Sequence, residues 1–243
     1  MRILVISDVH ANLVALEAVL AAAEGEWERV WFLGDLVGYG PNPNECVERL
    51  RALDPLALSG NHDWAVLGKL DTEDFNSEAR HAVYWTRRVL SEENRLYLES
   101  LAPRRVEERF TLAHASPRHP VWEYILDLPT ALDNFGYFDT PYCLVGHSHV
   151  PLLFVLDEAA NELNYFAVGH GDAVSLDQHR FILNPGGVGQ PRDGDPRAAY
   201  ALLDDETLQW EFRRVAYDVA ETQRRMRELK MPRRLIERLE HGL

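Results

Sequence analysis

The chain has 243 residues, of which 46% are hydrophobic and 26% are charged, and its formal net charge is −14. This composition suits a globular protein of one large domain or two small ones. The negative charge argues against general nucleic-acid binding, and no apolar run is long enough to span a membrane. Two cysteines are too few for a disulfide framework, and the first strand begins at Arg2 without room for a signal peptide. We therefore expect a cytoplasmic protein.

The charge is distributed unevenly along the chain. Residues 213–243 contain nine Lys or Arg against five Asp or Glu, which is about +4 and leaves roughly −18 for the rest. A solvated basic helix on an acidic body is the favoured interpretation of this segment. The alternative is a surface for a partner or an anionic ligand.

The first 63 residues alternate between strand-like and helix-like patterns. Residues 2–7 form an apolar run typical of a buried strand, and Asn12 then caps a helix. Residues 28–35 predict a second strand, Asn42 caps a second helix, and residues 54–63 predict a third strand. This order indicates parallel strands, whose carboxyl ends share the edge of the sheet where ligands bind.

The remaining chain changes character twice. Residues 64–101 are mainly helical, and a series of short β-like runs separated by turn residues begins at about residue 105. Residues 217–241 return to a helical pattern that Pro232 interrupts. Because we find no internal repeat or linker, we expect a single domain that covers residues 1–243.

Polar groups follow five of the apolar runs at the point where each strand should end. Together they offer two aspartates, one asparagine and four or five histidines. Oxygen and imidazole ligands without a thiolate suit first-row divalent metals such as Mn, Fe, Co, Ni or Zn. Seven ligands are too many for one catalytic ion with an open position, but they fit two ions that share a carboxylate. The residues are Asp8 and His10, Asp35, Asn61 and His62, His114, and His147 and His149.

Three glycines precede candidate ligands. Gly34, Gly60 and Gly146 each stand directly before the polar residue of a strand end. A residue without Cβ allows a sharp turn that can bring the next side chain to a metal.

The motifs DVH, GDLVGYG, GNHD, LAH and GHSH, in this order, resemble those of the calcineurin-like metallophosphoesterases, and the likeness is greatest to small prokaryotic members. Residues 114–125 and 184–200 are also similar to that subgroup. Ala115 departs from the glycine usual after the histidine, and Ser148 stands where many members have threonine. Neither departure removes a candidate ligand.

The resemblance implies an α/β fold of four layers, in which two mixed β-sheets pack face to face between helices. It also implies two divalent metal ions, with Mn expected first and Fe, Ni, Co or Zn as alternatives. His62 would lie near the leaving group without binding metal. The implied ligands are Asp8, His10 and His149 for one ion, Asn61, His114 and His147 for the other, and Asp35 as the bridge.

The implied reaction is hydrolysis of a phosphate ester by direct attack of a hydroxide held between the two ions. A small phosphodiester or nucleotide is the preferred substrate, without a covalent enzyme intermediate. A phosphomonoesterase, including a protein phosphatase, is one alternative, and a metal-binding scaffold with little catalysis is another. The motifs leave the substrate, the native metal and the oligomeric state open.

Several further residues have two interpretations each. Arg118 and Arg192 either bind a substrate phosphate or form surface ion pairs. Asp63 either accepts the second ring proton of His62 or is a turn residue. The aromatic residues of 84–124 are interpreted as core rather than as a base-stacking platform. Four histidines outside the strand ends are interpreted as ordinary side chains: His81, His170, His179 and His241.

Overall fold

The computed structural model describes residues 1–176 and 178–243, and within them the strands form two mixed six-stranded sheets. The first sheet has the strand order β3-β2-β1-β11-β12-β9, and the second has the order β4-β5-β6-β10-β7-β8. The strands are β1 (Arg2–Ile6), β2 (Arg29–Phe32), β3 (Leu56–Ala57), β4 (Arg104–Glu107), β5 (Phe110–Ala113), β6 (Tyr142–Val145), β7 (Leu152–Asp157), β8 (Glu162–Ala167), β9 (Ala173–Ser175), β10 (Arg180–Asn184), β11 (Ala198–Asp204) and β12 (Gln209–Val215).

The predicted parallel strands lie side by side in the first sheet. Leu4 of β1 is in register with Val30 of β2, and Trp31 of β2 is in register with Leu56 of β3. On the other side of β1, the strands β11, β12 and β9 continue the sheet antiparallel. In the second sheet, β5, β6 and β10 are mutually parallel. Both sheets therefore present parallel carboxyl ends.

Helices cover the outer faces of the two sheets. Helices α1, α2, α4 and the C-terminal helices pack on the first sheet, and α6 packs on the second. No helix in the described part of the chain is both long and apolar enough to cross a bilayer. The helices are α1 (Leu13–Ala22), α2 (Pro43–Arg51), α3 (Asn61–Leu67), α4 (Ser77–Val89), α5 (Glu92–Glu99), α6 (Leu128–Phe135), α7 (Val219–Glu228), α8 (Arg233–Glu237) and a 3₁₀ helix (Arg238–Glu240).

Apolar side chains fill the space between the sheets and the space under each layer of helices. Trp31 and Phe110 face each other across the two sheets, with ring centroids 5.2 Å apart, and Trp210 is fully buried nearby. This middle layer is what joins the two sheets, because burial of large rings removes the most apolar area from water. The predicted four-layer α/β sandwich is confirmed.

Two predicted elements differ from the structure. The third strand is only the two residues Leu56–Ala57, because Gly60 already begins the turn into α3, where its N–H donates to Asp63 Oδ2. Helix α6 was absent from the sequence prediction, although Asp127 accepts the Thr130 N–H as an N-cap at 2.8 Å. The predicted break at Pro232 is confirmed, since α7 ends before it and α8 begins after it.

Candidate metal centre

The structure brings all seven predicted ligands together at one edge of the sandwich. Asp8 follows β1 and Asp35 follows β2, while His114 follows β5 and the two histidines of the GHSH motif follow β6. Asn61 is the first residue of α3. Because the strands are parallel within each pair, their carboxyl ends deliver these side chains to the same place. All seven side chains are buried.

Five of the seven have a left-handed backbone, which is uncommon for residues other than glycine. Such residues cost of order 1 kcal/mol each and cluster at functional sites. Hydrogen bonds between the two loops hold part of this geometry, since Asp8 N donates to Gly34 O and His10 N donates to Asp35 O, both at 3.0 Å. The φ values are 55° for Asp8, 47° for His10, 59° for Asp35, 63° for His147 and 60° for His149.

Asp8, His10 and His149 form a first set, in which Asp8 Oδ1 lies 3.3 Å from His149 Nε2 and 3.8 Å from His10 Nε2. Burial raises the pKa of Asp8 to about 7. The Nδ1 of His10 donates to Val37 O at 3.2 Å, and the Nδ1 of His149 donates to Gln190 O at 2.5 Å. Burial lowers the pKa of both rings well below the ordinary value, so each Nε2 carries a lone pair. These two Nε2 atoms lie 3.1 Å apart. Lone pairs this close repel each other unless a cation lies between them.

His114, His147 and Asn61 form a second set on the other side. His114 Nδ1 donates to Leu33 O at 2.8 Å, which directs its Nε2 to Asn61 Oδ1 at 3.1 Å. Burial lowers the pKa of His114, but the Asp35 carboxylate outweighs it and raises that pKa to about 9. Burial lowers the pKa of His147 to about 3. A proton on His114 Nε2 thus occupies the position for which a metal would compete.

Asp35 lies between the two sets. Its Oδ2 is 3.5 Å from His10 Nε2 and also 3.5 Å from His114 Nε2. Its Oδ1 accepts the backbone N–H of His62 at 2.8 Å, which fixes the orientation of the carboxylate. Burial opposes ionisation of this carboxyl, but the charge of His114 outweighs it and holds the pKa well below its ordinary range.

Unsatisfied polar atoms show that these residues fit a metal. Asp8 Oδ1, Asp35 Oδ2 and His147 Nε2 are buried and have no hydrogen-bond partner among residues 1–176 and 178–243. A buried acceptor without a partner is costly, and metal coordination satisfies it. Within each set of His and Asp side chains, the ligand atoms lie within 4.8 Å of one another. The donor types and spacing of these clusters indicate divalent metal binding.

Asp63 does not orient the His62 ring, so that interpretation is wrong. Its carboxylate accepts the backbone N–H groups of residues 35–37 at 3.0–3.1 Å and of Gly60 at 2.9 Å. No hydrogen bond joins it to the ring in the part of the chain that the structure describes, where His62 Nδ1 has no partner. Asp63 instead ties the loop after β2 to the start of α3.

The three glycines serve two different purposes. Gly34 has a φ of 101° and provides the sharp turn that the sequence predicted. Gly60 and Gly146 do not have positive φ values. A Cβ at Gly60 would overlap Asp35 Oδ1, and a Cβ at Gly146 would overlap Ser7 Oγ. At these two positions glycine is required by close approach rather than by a turn.

His62 lies beside the candidate ligands, in the first turn of α3. Its ring centroid is 4.3 Å from that of Tyr39 and 5.0 Å from that of Phe75. Burial lowers its pKa to about 4. His62 also forms a set with His10 and Asp35 whose ligand atoms lie within 4.8 Å, so it is close enough to act on a group held there.

A cavity of about 210 Å³ opens over the cluster and exposes part of it to solvent. Its wall contains four aromatic residues, two of them from the 84–124 segment whose aromatics were interpreted as core. For these two the interpretation is wrong, because Trp122 is 41% exposed and Tyr124 is 46% exposed. No local pattern in the sequence separates them from core aromatics. The aromatic residues of the wall are Tyr39, Phe75, Trp122 and Tyr124.

The two candidate arginines have different surroundings. Arg192 lines the cavity, and its Nη2 donates to Gln190 Oε1 at 3.1 Å. Arg118 lies outside the cavity lining and forms ion pairs with Glu123 and with Asp133, the latter at 3.0 Å. The ion-pair interpretation therefore applies to Arg118, and Arg192 is the arginine available to a ligand.

Known proteins match both this fold and its sequence. A family model described as the calcineurin-like phosphoesterase superfamily domain matches residues 1–207. The chain belongs to this superfamily. It is also 42% identical to an uncharacterised protein of Methanocaldococcus jannaschii over 98% of this chain and 96% of that protein. Membership confirms the resemblance seen in the motifs and indicates phosphoester hydrolysis as the activity class.

Solved structures extend the likeness to the whole architecture. A metallophosphoesterase from Sphaerobacter thermophilus superposes with a TM-score of 0.92 and is 51% identical, with 100% of this chain and 99% of that one covered. A hypothetical protein from Pyrococcus horikoshii has a TM-score of 0.79 at 23% identity, with 100% and 98% covered, and is similar in fold.

Proposed function

We propose that the chain is a phosphoesterase that uses two divalent metal ions to hydrolyse a small phosphodiester or nucleotide. In this proposal Asp8, His10 and His149 hold one ion, with Mn expected first and Fe, Co, Ni or Zn as alternatives. The second ion is held by the other set, and one carboxylate serves both. The residues of that second set are Asn61, His114 and His147, and Asp35 is the shared ligand.

The observation that carries the proposal is the position of the Asp35 carboxylate. Its Oδ2 lies at the same distance, 3.5 Å, from a ring nitrogen of each set, and it makes no hydrogen bond of ordinary geometry with the described residues. A single-ion site gives no reason for a buried oxygen to face both sets equally. A ligand shared by two ions, one of which would replace the proton on His114, explains this position.

When bound, the two ions would supply a nucleophile from water at neutral pH and offset the charge of the phosphoryl oxygens. The chain's own residues then have separate tasks. Arg192 can hold a phosphoryl oxygen at the cavity wall through a charge-assisted hydrogen bond. His62 is placed to give a proton to the leaving oxygen, and the negative charge of a bound phosphate would raise the pKa of its ring toward neutrality.

The aromatic wall favours an ester with a flat organic group. Trp122 and Phe75 have ring centroids 5.4 Å apart, and Tyr124 stacks on His147 at 4.0 Å. Exposed rings beside a reaction centre bind an aryl or nucleoside group by stacking. This supports a nucleotide or aryl ester over a phosphoserine or phosphothreonine side chain, neither of which has a flat group to place there.

A metal-by-substrate screen tests the proposed function. The protein is stripped with chelator and then supplied with Mn, Fe, Co, Ni or Zn. Bis-p-nitrophenyl phosphate, p-nitrophenyl phosphate and several nucleotides are compared on the same preparation, with metal content measured. We expect activity only after metal is restored. Full activity in the metal-free protein would contradict the proposal, and metal binding without hydrolysis of any ester would favour the scaffold alternative.

A further inference from the structure

A second and larger cavity adjoins the one over the metal centre. Its volume is about 610 Å³, and the two cavities share Tyr39, Asn76, Tyr124 and Arg192 as lining residues. Its far side is formed by the C-terminal helices, which the sequence shows as the basic end of an otherwise acidic chain. A ligand bound over the metal centre can therefore extend directly into this second cavity.

Three arginines line the second cavity: Arg192, Arg234 and Arg238. Arg192 and Arg234 form no ion pair with an Asp or Glu side chain in the described part of the chain. The neighbouring Arg233 differs, because its Nε lies 2.5 Å from Glu237 Oε1. Arg238 is engaged within the chain, because its Nε donates to the main-chain oxygen of Leu243, the last residue of the sequence and itself part of the lining. Burial, and next the charge of Arg192, lower the pKa of Arg238 to about 10.

Three glutamates also line this cavity, Glu78, Glu237 and Glu240, so the formal charges of its Arg and Glu side chains sum to zero. The whole chain carries −14, so this lining is less negative than the chain as a whole. Glu237 is bound by Arg233, and the carboxylate of Glu78 accepts the Ser77 hydroxyl at 2.9 Å. The guanidinium groups of Arg192 and Arg234 are thus available to an anion.

We propose that this second cavity binds a further phosphate group of the substrate, so that the preferred substrates are esters with at least two phosphate groups, such as nucleoside polyphosphates. The proposal rests on the proposed function and specifies its substrate class. Guanidinium groups bind phosphate oxygens in paired, charge-assisted hydrogen bonds. Arg192 lines both cavities and can contact the phosphates on either side of the boundary. In this proposal the basic segment, residues 213–243, forms part of a ligand-binding surface rather than a solvated helix.

Inhibition by inorganic phosphates tests this proposal without requiring a known substrate. Orthophosphate, pyrophosphate and tripolyphosphate are compared as inhibitors of p-nitrophenyl ester hydrolysis at a fixed concentration of free metal. We expect the inhibition constant of the wild type to fall with each added phosphate. In Arg234→Gln, the advantage of tripolyphosphate over orthophosphate should shrink by roughly tenfold or more, the value of one charge-assisted hydrogen bond.

Two control variants separate a specific site from a general loss of charge. Arg224→Gln removes the same charge from the C-terminal helices, but Arg224 and its partners Glu221 and Glu228 lie outside the cavity lining, so the advantage should be retained. Glu240→Gln removes a negative charge from the cavity and should increase the advantage. An equal inhibition constant for all three anions in the wild type, or equal losses in Arg224→Gln and Arg234→Gln, would overturn the proposal.

The experiments distinguish a failure of the proposed function from a failure of the proposed anion site. If no ester is hydrolysed with any metal, that function is wrong, and calorimetry with tripolyphosphate then tests the cavity alone. Binding that Arg234→Gln weakens supports the anion site, and the absence of binding overturns it.

Discussion

The floor and the mouth of the cavity are built in different ways. The floor comprises the seven candidate metal ligands, Asp8, His10, Asp35, Asn61, His114, His147 and His149, and none of them is more than 4% exposed. The mouth comprises the aromatic wall of that cavity and the arginines of the adjoining second cavity. Its residues are Tyr39, Phe75, Trp122, Tyr124, Arg192, Arg234 and Arg238. Trp122 and Tyr124 of the mouth are nearly half exposed.

The two regions also differ in what holds them. Floor side chains stand at strand ends, and their rings and carboxylates are fixed by backbone groups such as Leu33 O and the N–H of His62. Mouth side chains come from several separate segments and meet mainly through ring contacts. A buried floor fixed by backbone hydrogen bonds suits chemistry that is the same for many esters, while a partly exposed wall suits the choice among them.

The largest expected effect is in the floor, at Asp35. Asp35→Asn removes charge from both sets of ligands, whereas Asn61→Ala removes a neutral ligand from one. Loss of a shared ligand should cost several kcal/mol of transition-state stabilisation, or roughly 10³-fold in turnover, and more than Asn61→Ala costs. Turnover and metal content per chain are measured together.

The fold must be checked in the Asp35→Asn variant, because Asp35 Oδ1 also accepts the His62 N–H. The asparagine carbonyl can accept this hydrogen bond, so circular dichroism and the melting temperature should change little. A variant that keeps two tightly bound ions and near-normal turnover would show that Asp35 is not the bridge.

His62 lies between the floor and the mouth, and its role can be tested with two esters that differ in their leaving group. If it protonates the leaving oxygen, His62→Asn should retain metal and lose about 10²-fold on an alkyl or nucleotide ester. A nitrophenolate leaves without a proton, so the loss on a nitrophenyl ester should be much smaller. The measurement is turnover of both esters on one preparation with metal counted.

Two other results for His62→Asn would each assign a different role. Equal losses on the two esters would mean that His62 binds or stabilises the phosphoryl group. Loss of one metal ion would place the ring among the ligands, as its proximity to His10 and Asp35 permits.

The same contrast explains what the sequence could predict. Each floor residue stands within a few residues of the end of an apolar run, so the five motifs and the parallel strand order were readable from local patterns. The four-layer sandwich followed from the resemblance of those motifs to a known family. Asp63 shows the limit even there. Its position beside His62 suggested a ring contact, but its carboxylate satisfies four backbone donors that only the folded loops bring together.

The mouth could not be predicted, because its residues become neighbours only through tertiary packing. Trp122 and Tyr124 have no pattern that marks them as exposed, and α6, which follows them, was missed. The basic C-terminal segment was noticed as a charge imbalance, but its charge alone gave no position for Arg234 or Arg238 relative to the metal centre. Ligand specificity therefore depends on the part of the structure with the weakest sequence signal.

Trp122 should contribute to substrate choice rather than to chemistry. Trp122→Leu removes an exposed ring from the wall and should raise KM for a nucleotide or aryl ester about tenfold, the value of about 1–1.5 kcal/mol of ring stacking. The value of kcat should change little. Tyr165→Leu, which alters a similarly exposed ring on β8 outside the cavity lining, is the matched control. A fall in kcat with KM unchanged would contradict this role.

The smallest effect on activity is expected at Glu123, whose contacts stabilise the segment that contains Trp122 and Tyr124 of the aromatic wall. Its carboxylate accepts hydrogen bonds from Ser116 Oγ at 2.7 Å and Asn134 Nδ2 at 2.8 Å, and it pairs with Arg118. Burial raises the pKa of this carboxyl, but these partners, Arg118 first, outweigh burial and lower it to about 2. Glu123→Gln should lower the free energy of unfolding by about 1–2 kcal/mol at pH 7.

The pH dependence of that difference follows from the direction of the pKa shift. A folded-state pKa below the ordinary value of 4.5 means that the ionised carboxylate stabilises the fold above about pH 4.5. The stabilisation is lost as pH falls from there toward about 2, so wild type and Glu123→Gln should converge over that range. Urea unfolding at pH 7, 5, 4 and 3 measures the difference. A difference in unfolding free energy that stays constant down to pH 3 would show that Glu123 stabilises this segment through packing rather than through its charge.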